Sequence, residues 1–294
     1  MRFYLEKRES PAAAVARINL ELRARVIRII NDESLDSDTL VHELLKCINK
    51  MRAVLRFSEP GMVAAAFNSR DRVLADFALE VSGTRDSAVL VNTFDCLADH
   101  YRPFLNTEEL LPVRQALQNR HVQSMAAFQE QHNVKQLESA FISLEMKIDT
   151  KARVKVTKDM IRSAVRGIYE RGRKLHHLLD EDPNTENSHS LHRQAKYLWY
   201  LLRMLEERLP ESMQVVVEEL GELGDLLGDD NDMSVLIDAL RKKPGLCCNR
   251  VQAELLCSLA ETRRISLLSA ALRLSARIYA SEPDDFIESL FANA

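Results

Sequence analysis

Residues 41–57 read VHELLKCINKMRAVLRF, and their cations are not scattered. Drawn as a helix at about 100° per residue, the stretch puts His42, Lys46, Asn49, Lys50, Arg52 and Arg56 on one face. Val41, Leu44, Cys47, Ile48, Met51, Val54 and Leu55 take the other, and Glu43 falls near the edge of the apolar side. Such a row holds no nucleophile and no paired acid and base. Its chemistry is neutralisation, because arginine forks and lysine ammonium groups hydrogen-bond phosphate-like oxygens. Like charges one helical turn apart repel, a cost that an anion lying across them offsets.

The pattern returns later in the chain. Around His189 the polar arc carries His189, His192, Arg193, Lys196, Tyr200 and Arg203, opposite Leu191, Ala195, Leu198, Leu201, Leu202 and Leu205. The helix before it aligns Arg162, Arg166, Arg173 and His177 on one face. Its counterpart near the N-terminus carries Arg17 and Arg28, which share the 11-residue separation of Arg162 and Arg173. Four helices therefore each present a cationic face. A plain solvated surface is the alternative, but such faces usually mix signs. The histidines gain charge as pH falls through about 6–7, so anion binding is expected to be tighter at about pH 6 than at about pH 8.

Other groupings point to no catalysis. His42-Glu43 followed by Lys46 lacks the second His of a zinc protease helix. His176-His177 and His189/His192 have no acidic or Cys partners nearby in sequence. GDDNDM lacks the spacing and closing Glu of a calcium loop, and Asp232 reads as a helix N-cap. Phosphate-binding glycine loops, nucleophile elbows and dinucleotide fingerprints are missing. No enzyme activity, cofactor or metal is expected.

The elements that position these residues are helices. Ser10-Pro11 marks a start, and further helices are expected to 30, over 41–57, 61–81, 86–102, 107–131 and 134–147. The second half predicts 157–180, 188–208, 211–227, 232–243 and 249–280, each cationic helix opening at its His. ARVKVTK, at 152–158, alternates like a short strand but leads more naturally into a helix. The two halves echo one another: RDSAVLVNTF (85–94) matches NDMSVLIDAL (231–240), RHVQSMAAF matches RRISLLSAAL, and His42, Lys46 and Arg56 align with His189, Arg193 and Arg203. We read an internal duplication, 1–149 and 150–294, giving an all-α fold.

Bulk composition limits the partners. The 294 residues carry a formal net charge of −4, so any anion site is a local concentration of cations on an acidic body. That balance weighs against a general nucleic-acid binder. Five cysteines without a CxxC pair fit a reduced, cytoplasmic protein. No run approaches the roughly 18 apolar residues of a membrane span, so no membrane partner is expected.

These features resemble the CHAD family (conserved histidine α-helical domain). Its pattern is a His followed by basic residues on one helix, then a Gly-x-[RN]-Asp turn before an apolar helix, all duplicated. Here those elements read VHELLKCINKMR…SGTRDSAVL and SHSLHRQAKYLWY…LLGDDNDMSVL, and FYLEKRESPAAAVARI and RLSARIYASEPDDFIESL look like the family's two ends. The resemblance implies two pseudo-symmetric four-helix bundles with a basic groove or pore between them, binding inorganic polyphosphate without chemistry. Carried over, His42, Lys46, Lys50, Arg52 and Arg56 match the first motif, and His189, Arg193, Lys196 and Arg203 the second. Arg162, Arg166 and Arg173 match the basic helix before it, with Arg17 and Arg28 as their first-half counterparts. Leu45, Asn49, His192 and Trp199 stand where the family usually has a cation. The expected partner is inorganic polyphosphate or another polyanion, at polyphosphate granules. The alternative is a helical protein-interaction scaffold with a degenerate anion site.

Overall fold

The computed structural model describes residues 2–82, 85–131, 136–142, 156–242 and 245–292. Ten helices can be labelled: α1 (Pro11–Ile30), α2 (Ser37–Phe57), α3 (Ala64–Ser82), α4 (Arg85–His100), α5 (Thr107–Gln131), α6 (Lys158–Glu181), α7 (Thr185–Leu205), α8 (Glu211–Lys242), α9 (Arg250–Ile278) and α10 (Pro283–Leu290). Residues 136–142 are also helical. The rest of the helix expected over 134–147, and 152–155 of the possible strand, lie outside the described residues.

Helix starts follow side-chain chemistry. Asp36 accepts the Thr39 amide at 2.7 Å, and Asn184 accepts the Asn187 amide at 2.9 Å; both satisfy donors that the first helical turn leaves unpaired. These caps correct one expectation. Neither His opens its helix: His42 and His189 sit in the second turns of α2 and α7, and both are exposed.

A second correction concerns 228–231. The break expected there does not occur, and α8 runs unbroken for 32 residues. Asp232 is therefore a mid-helix residue, not a cap. Asp230 is buried and spent on tertiary contacts: its carboxylate accepts Ser188 Oγ at 2.7 Å and Arg264 Nε at 2.9 Å. Buried positions Val217, Leu220, Leu223, Leu227, Met233, Leu236, Ile237 and Leu240 keep helical spacing straight through the acidic cluster.

Two hydrophobic cores result. The larger gathers α1, α2, α3, α6, α7 and α10 with the N-terminal part of α8 and the C-terminal part of α9. The smaller takes α4, the first half of α5, and the remaining parts of α8 and α9. Each core draws on both sequence halves, although most helix pairs pack within one half, so the halves meet along shared apolar surfaces.

Polar bridges fix the helix tops. His121 joins α5 to its neighbours, with Nδ1 3.0 Å from Ser87 Oγ and Nε2 2.8 Å from Asp38 Oδ2. Arg264, aligned with His121 in the sequence comparison, bridges Asp230 and Thr185 Oγ1. Residues 2–9 strap the other end: the Leu5 amide donates to the Met204 carbonyl at 2.7 Å.

Candidate functional site

The two cationic helices cross. Arg56 of α2 stacks its guanidinium 3.7 Å from the centroid of Tyr197 on α7, and Lys50 lies within electrostatic reach of Arg203. Residues 50 to 56 thus face 203 to 197, and the helices run antiparallel. Under the 147-residue separation of His42 and His189, these two contacts exchange: Lys50 corresponds to Tyr197 and Arg56 to Arg203. The same geometry keeps the histidines apart, at opposite ends of the crossing and on the order of 30 Å from each other along the axes at 1.5 Å per residue.

Lys50 sits at the middle. It is half-buried, with its ammonium 5.2 Å from the Phe3 ring centroid. Burial holds it below the ordinary lysine pKa, and Arg25 and Arg203 push the same way, against Cys47 and Glu43. Desolvation penalises the charged form, and like charges add to that penalty. A cluster of cations that destabilise one another in the free protein is stabilised by an incoming anion.

Several predicted residues already hold internal acids. Arg52 and Arg56 both fork onto Asp71 of α3, with four contacts of 2.8–3.1 Å. Those guanidiniums overcome the effect of burial and lower the Asp71 carboxyl to about 2. Arg17 spends every N–H: its partners are Glu9, Glu21 and the carbonyls of Arg2 and Tyr4, at 2.8–3.3 Å. It knots the N-terminal strap to α1 and has no donor left for a ligand. Lys46 pairs with Glu43 at 3.0 Å, and Arg25 also pairs with Glu43. Arg203 bridges Glu206 at 3.0 Å and stacks on Trp199. Arg28 is exposed and donates to the Ala24 carbonyl. Arg166 and Arg173 meet Asp284 and Glu282 at 2.7 and 2.5 Å.

Among the described residues, Lys50, Arg162, Arg193, Lys196 and His189 have no carboxylate within ion-pair distance. Arg162 lies over the Phe291 ring at 4.9 Å. Lys196 lies flat on α8, where a Cβ at Gly224 would come 3.3 Å from its Cε. Gly221 and Gly228 make the same room for Trp199 and His192. Two of the positions that lack the family's usual cation thus pack on a glycine seam, Leu45 is buried in the core, and Asn49 alone is exposed.

Sequence reasoning missed Arg25, Asp71 and Tyr197. Arg25 was recoverable, since Arg17, Glu21, Arg25 and Arg28 share one face of α1. Asp71 was not: it stands between Arg70 and Arg72 with no periodic signal, and only folding brings α3 to Arg52 and Arg56. Rings stacked on Lys50, Arg56, Arg162 and Arg203 also make the region more aromatic than its helical wheel suggests.

The order of these elements has a counterpart among known domains: the sequence profile described as the CHAD domain matches residues 20–241. The chain belongs to the CHAD family. A comparison with curated proteins gave no match. Among solved structures, the crystal structure of the CHAD domain from the plant Ricinus communis is similar, with a TM-score of 0.60 and 13% identity over 100% of this chain and 96% of that one. At that identity the likeness concerns the fold. The CHAD fold here is all-helical across the described residues, and no described helix is long and apolar enough to cross a membrane.

Proposed function

We propose that this CHAD-family protein binds inorganic polyphosphate, or a polyanion of similar charge density, across the α2–α7 crossing without altering it chemically. The observation that carries the reading is Lys50, a half-buried ammonium kept beside Arg25 and Arg203. Lys196, Arg193 and His189 on α7, and Arg162 on α6, extend the positive surface from this centre. A polyphosphate chain carries dense charge and no bases, so recognition rests on ammonium and guanidinium donors. Cytoplasmic polyphosphate granules are the setting such binding fits. The alternative, a helical interaction scaffold, keeps the fold and drops the ligand.

Titrating the protein with long-chain polyphosphate and with single-stranded DNA of equal charge tests the reading. Polyphosphate is expected to bind more tightly, and equal affinity would make the surface a generic anion binder. Lys50→Glu combined with Lys196→Glu is expected to weaken binding at least about tenfold with helix content unchanged. The new carboxylate at position 50 would sit between Arg25 and Arg203, which favours folding and fills the site. Unchanged affinity in that variant would move the ligand elsewhere on the molecule.

A further inference from the structure

From the junction of α6 and α10 we infer a second anion subsite, closed by the chain's own acids, that makes binding selective for longer polyanions. The inference rests on the polyphosphate reading above. Arg166, Arg173, Lys174 and His177 of α6 line a cleft of about 420 Å³ together with Glu170, which pairs with Lys174 at 2.9 Å and Arg166 at 3.5 Å, and Glu282 and Asp284 lie across it. Arg166 forks onto Asp284 through Nε at 2.7 Å and Nη2 at 3.1 Å. Arg173 reaches Glu282 through both terminal nitrogens, at 2.9 and 2.5 Å. The carboxylates occupy the positions that phosphate oxygens would take.

These pairs are built to exchange. Asp284 and Glu282 are 75% and 63% exposed at the side chain, and Arg166 is 45% exposed. Exposed pairs contribute little against water and salt. The Arg173 pairing is also incomplete, because its Nε is buried and lacks a hydrogen-bond partner among the described residues. Glu282 stands at the N-cap of α10 but makes no capping bond with its side chain, so turning it away costs the helix nothing it now has. The pair of Arg52 and Arg56 with Asp71 is the contrast, with side chains only 11–21% exposed.

The backbone under the acids is anchored separately. Tyr169 donates its hydroxyl to the carbonyls of Ile278 and Ser281 at 3.1 and 3.0 Å, and its ring stacks on Phe286 at 3.9 Å. Opening the subsite is therefore a swing of two side chains and leaves α10 docked. Arg162, one turn before Arg166 on α6, lies against Phe291 of the segment after α10. On this inference a long chain bound at the α2–α7 crossing continues onto α6 and displaces both acids, whereas a short one occupies one place at a time.

Calorimetric titration of wild type and Glu282→Gln/Asp284→Asn with tripolyphosphate and long-chain polyphosphate tests this. The double variant is expected to gain roughly three- to thirtyfold in affinity for long-chain polyphosphate, which no longer has to displace two exposed pairs, and to bind tripolyphosphate at an additional site that the wild type keeps closed. Asp95→Asn/Glu261→Gln changes net charge equally at distant exposed pairs with Arg114 and Arg241 and is expected to change neither affinity more than about twofold. Adding Arg166→Gln and Arg173→Gln to the first variant should abolish its gain. Wild type binding polyphosphate while the double variant binds both ligands identically to it would overturn the closed subsite alone. No binding by any variant would overturn this inference together with the polyphosphate reading.

Discussion

Two side chains show how the same charge can hold the fold or serve a ligand. Asp71 belongs to the fold: its carboxyl, lowered to about 2 by Arg52 and Arg56, contributes stability that is full above its unfolded pKa of about 3.9. That stability is lost as pH falls through about 2. Asp71→Asn is expected to cost about 2 kcal/mol at neutral pH and to flatten the loss of stability between about pH 4 and 2, as urea melts across that range would record. Lys50 has the opposite character. Its ammonium is destabilised by burial and by two arginines, so Lys50→Met is expected to gain about 0.5–2 kcal/mol in stability while weakening polyphosphate binding. Thermal melts paired with titrations would separate the two effects, and a variant that lost both would make Lys50 structural. The cationic face was legible in the sequence because a helical wheel needs only spacing. Local pairs such as Lys46–Glu43 and Arg17–Glu21 follow from the same spacing, but the pairing of Arg52, Arg56, Arg166 and Arg173 was not legible, because Asp71, Glu282 and Asp284 come from elements distant in the chain.

Helices were read well wherever a cap and a period agreed. α5 matches its expected span at both ends and α9 falls within two residues of its own, since Asn249 caps the start at 2.9 Å and the apolar spacing runs to Ile278. The miss at α8 came from treating clustered aspartates as punctuation, although Asp230 is a buried acceptor and the apolar period continues through it. Glycines mark two tight contacts between elements. On α6, a Cβ at Gly172 would stand 2.5 Å from the hydroxyl oxygen and 2.6 Å from two ring carbons of the buried Tyr279, the C-cap of α9; Gly172→Ala is expected to cost about 1–3 kcal/mol by forcing α6 from the end of α9. On α8, Gly224 meets only the flexible Lys196 stem at 3.3 Å, so Gly224→Ala should cost less than about 1 kcal/mol and act mainly by lifting Lys196. Denaturant midpoints of the two variants compare them directly, and similar losses would make the seam rigid.

The two helices common to both cores give the molecule its mechanical unity. Because α8 and α9 each run through both cores, neither core can melt without cutting a continuous helix, and one calorimetric transition is expected with equal calorimetric and van't Hoff enthalpies. Two resolved transitions would make the cores independent. The body that carries these cations has a net charge of −4, and the polyanion binding proposed for the crossing is expected to weaken linearly in log–log plots against salt, with a slope that shrinks for each cation removed there. The antiparallel passage of α2 and α7 carries one more consequence. Exchanging the two helices sets His42, Lys46 and Arg56 against His189, Arg193 and Arg203, but Asn49 and Lys50 against Lys196 and Tyr197, so the positive track is palindromic only in part. A polyphosphate lying there as proposed has interchangeable ends and would meet a similar, unequal series of cations from either direction, whereas a nucleic-acid strand has a 5′ and a 3′ end to distinguish.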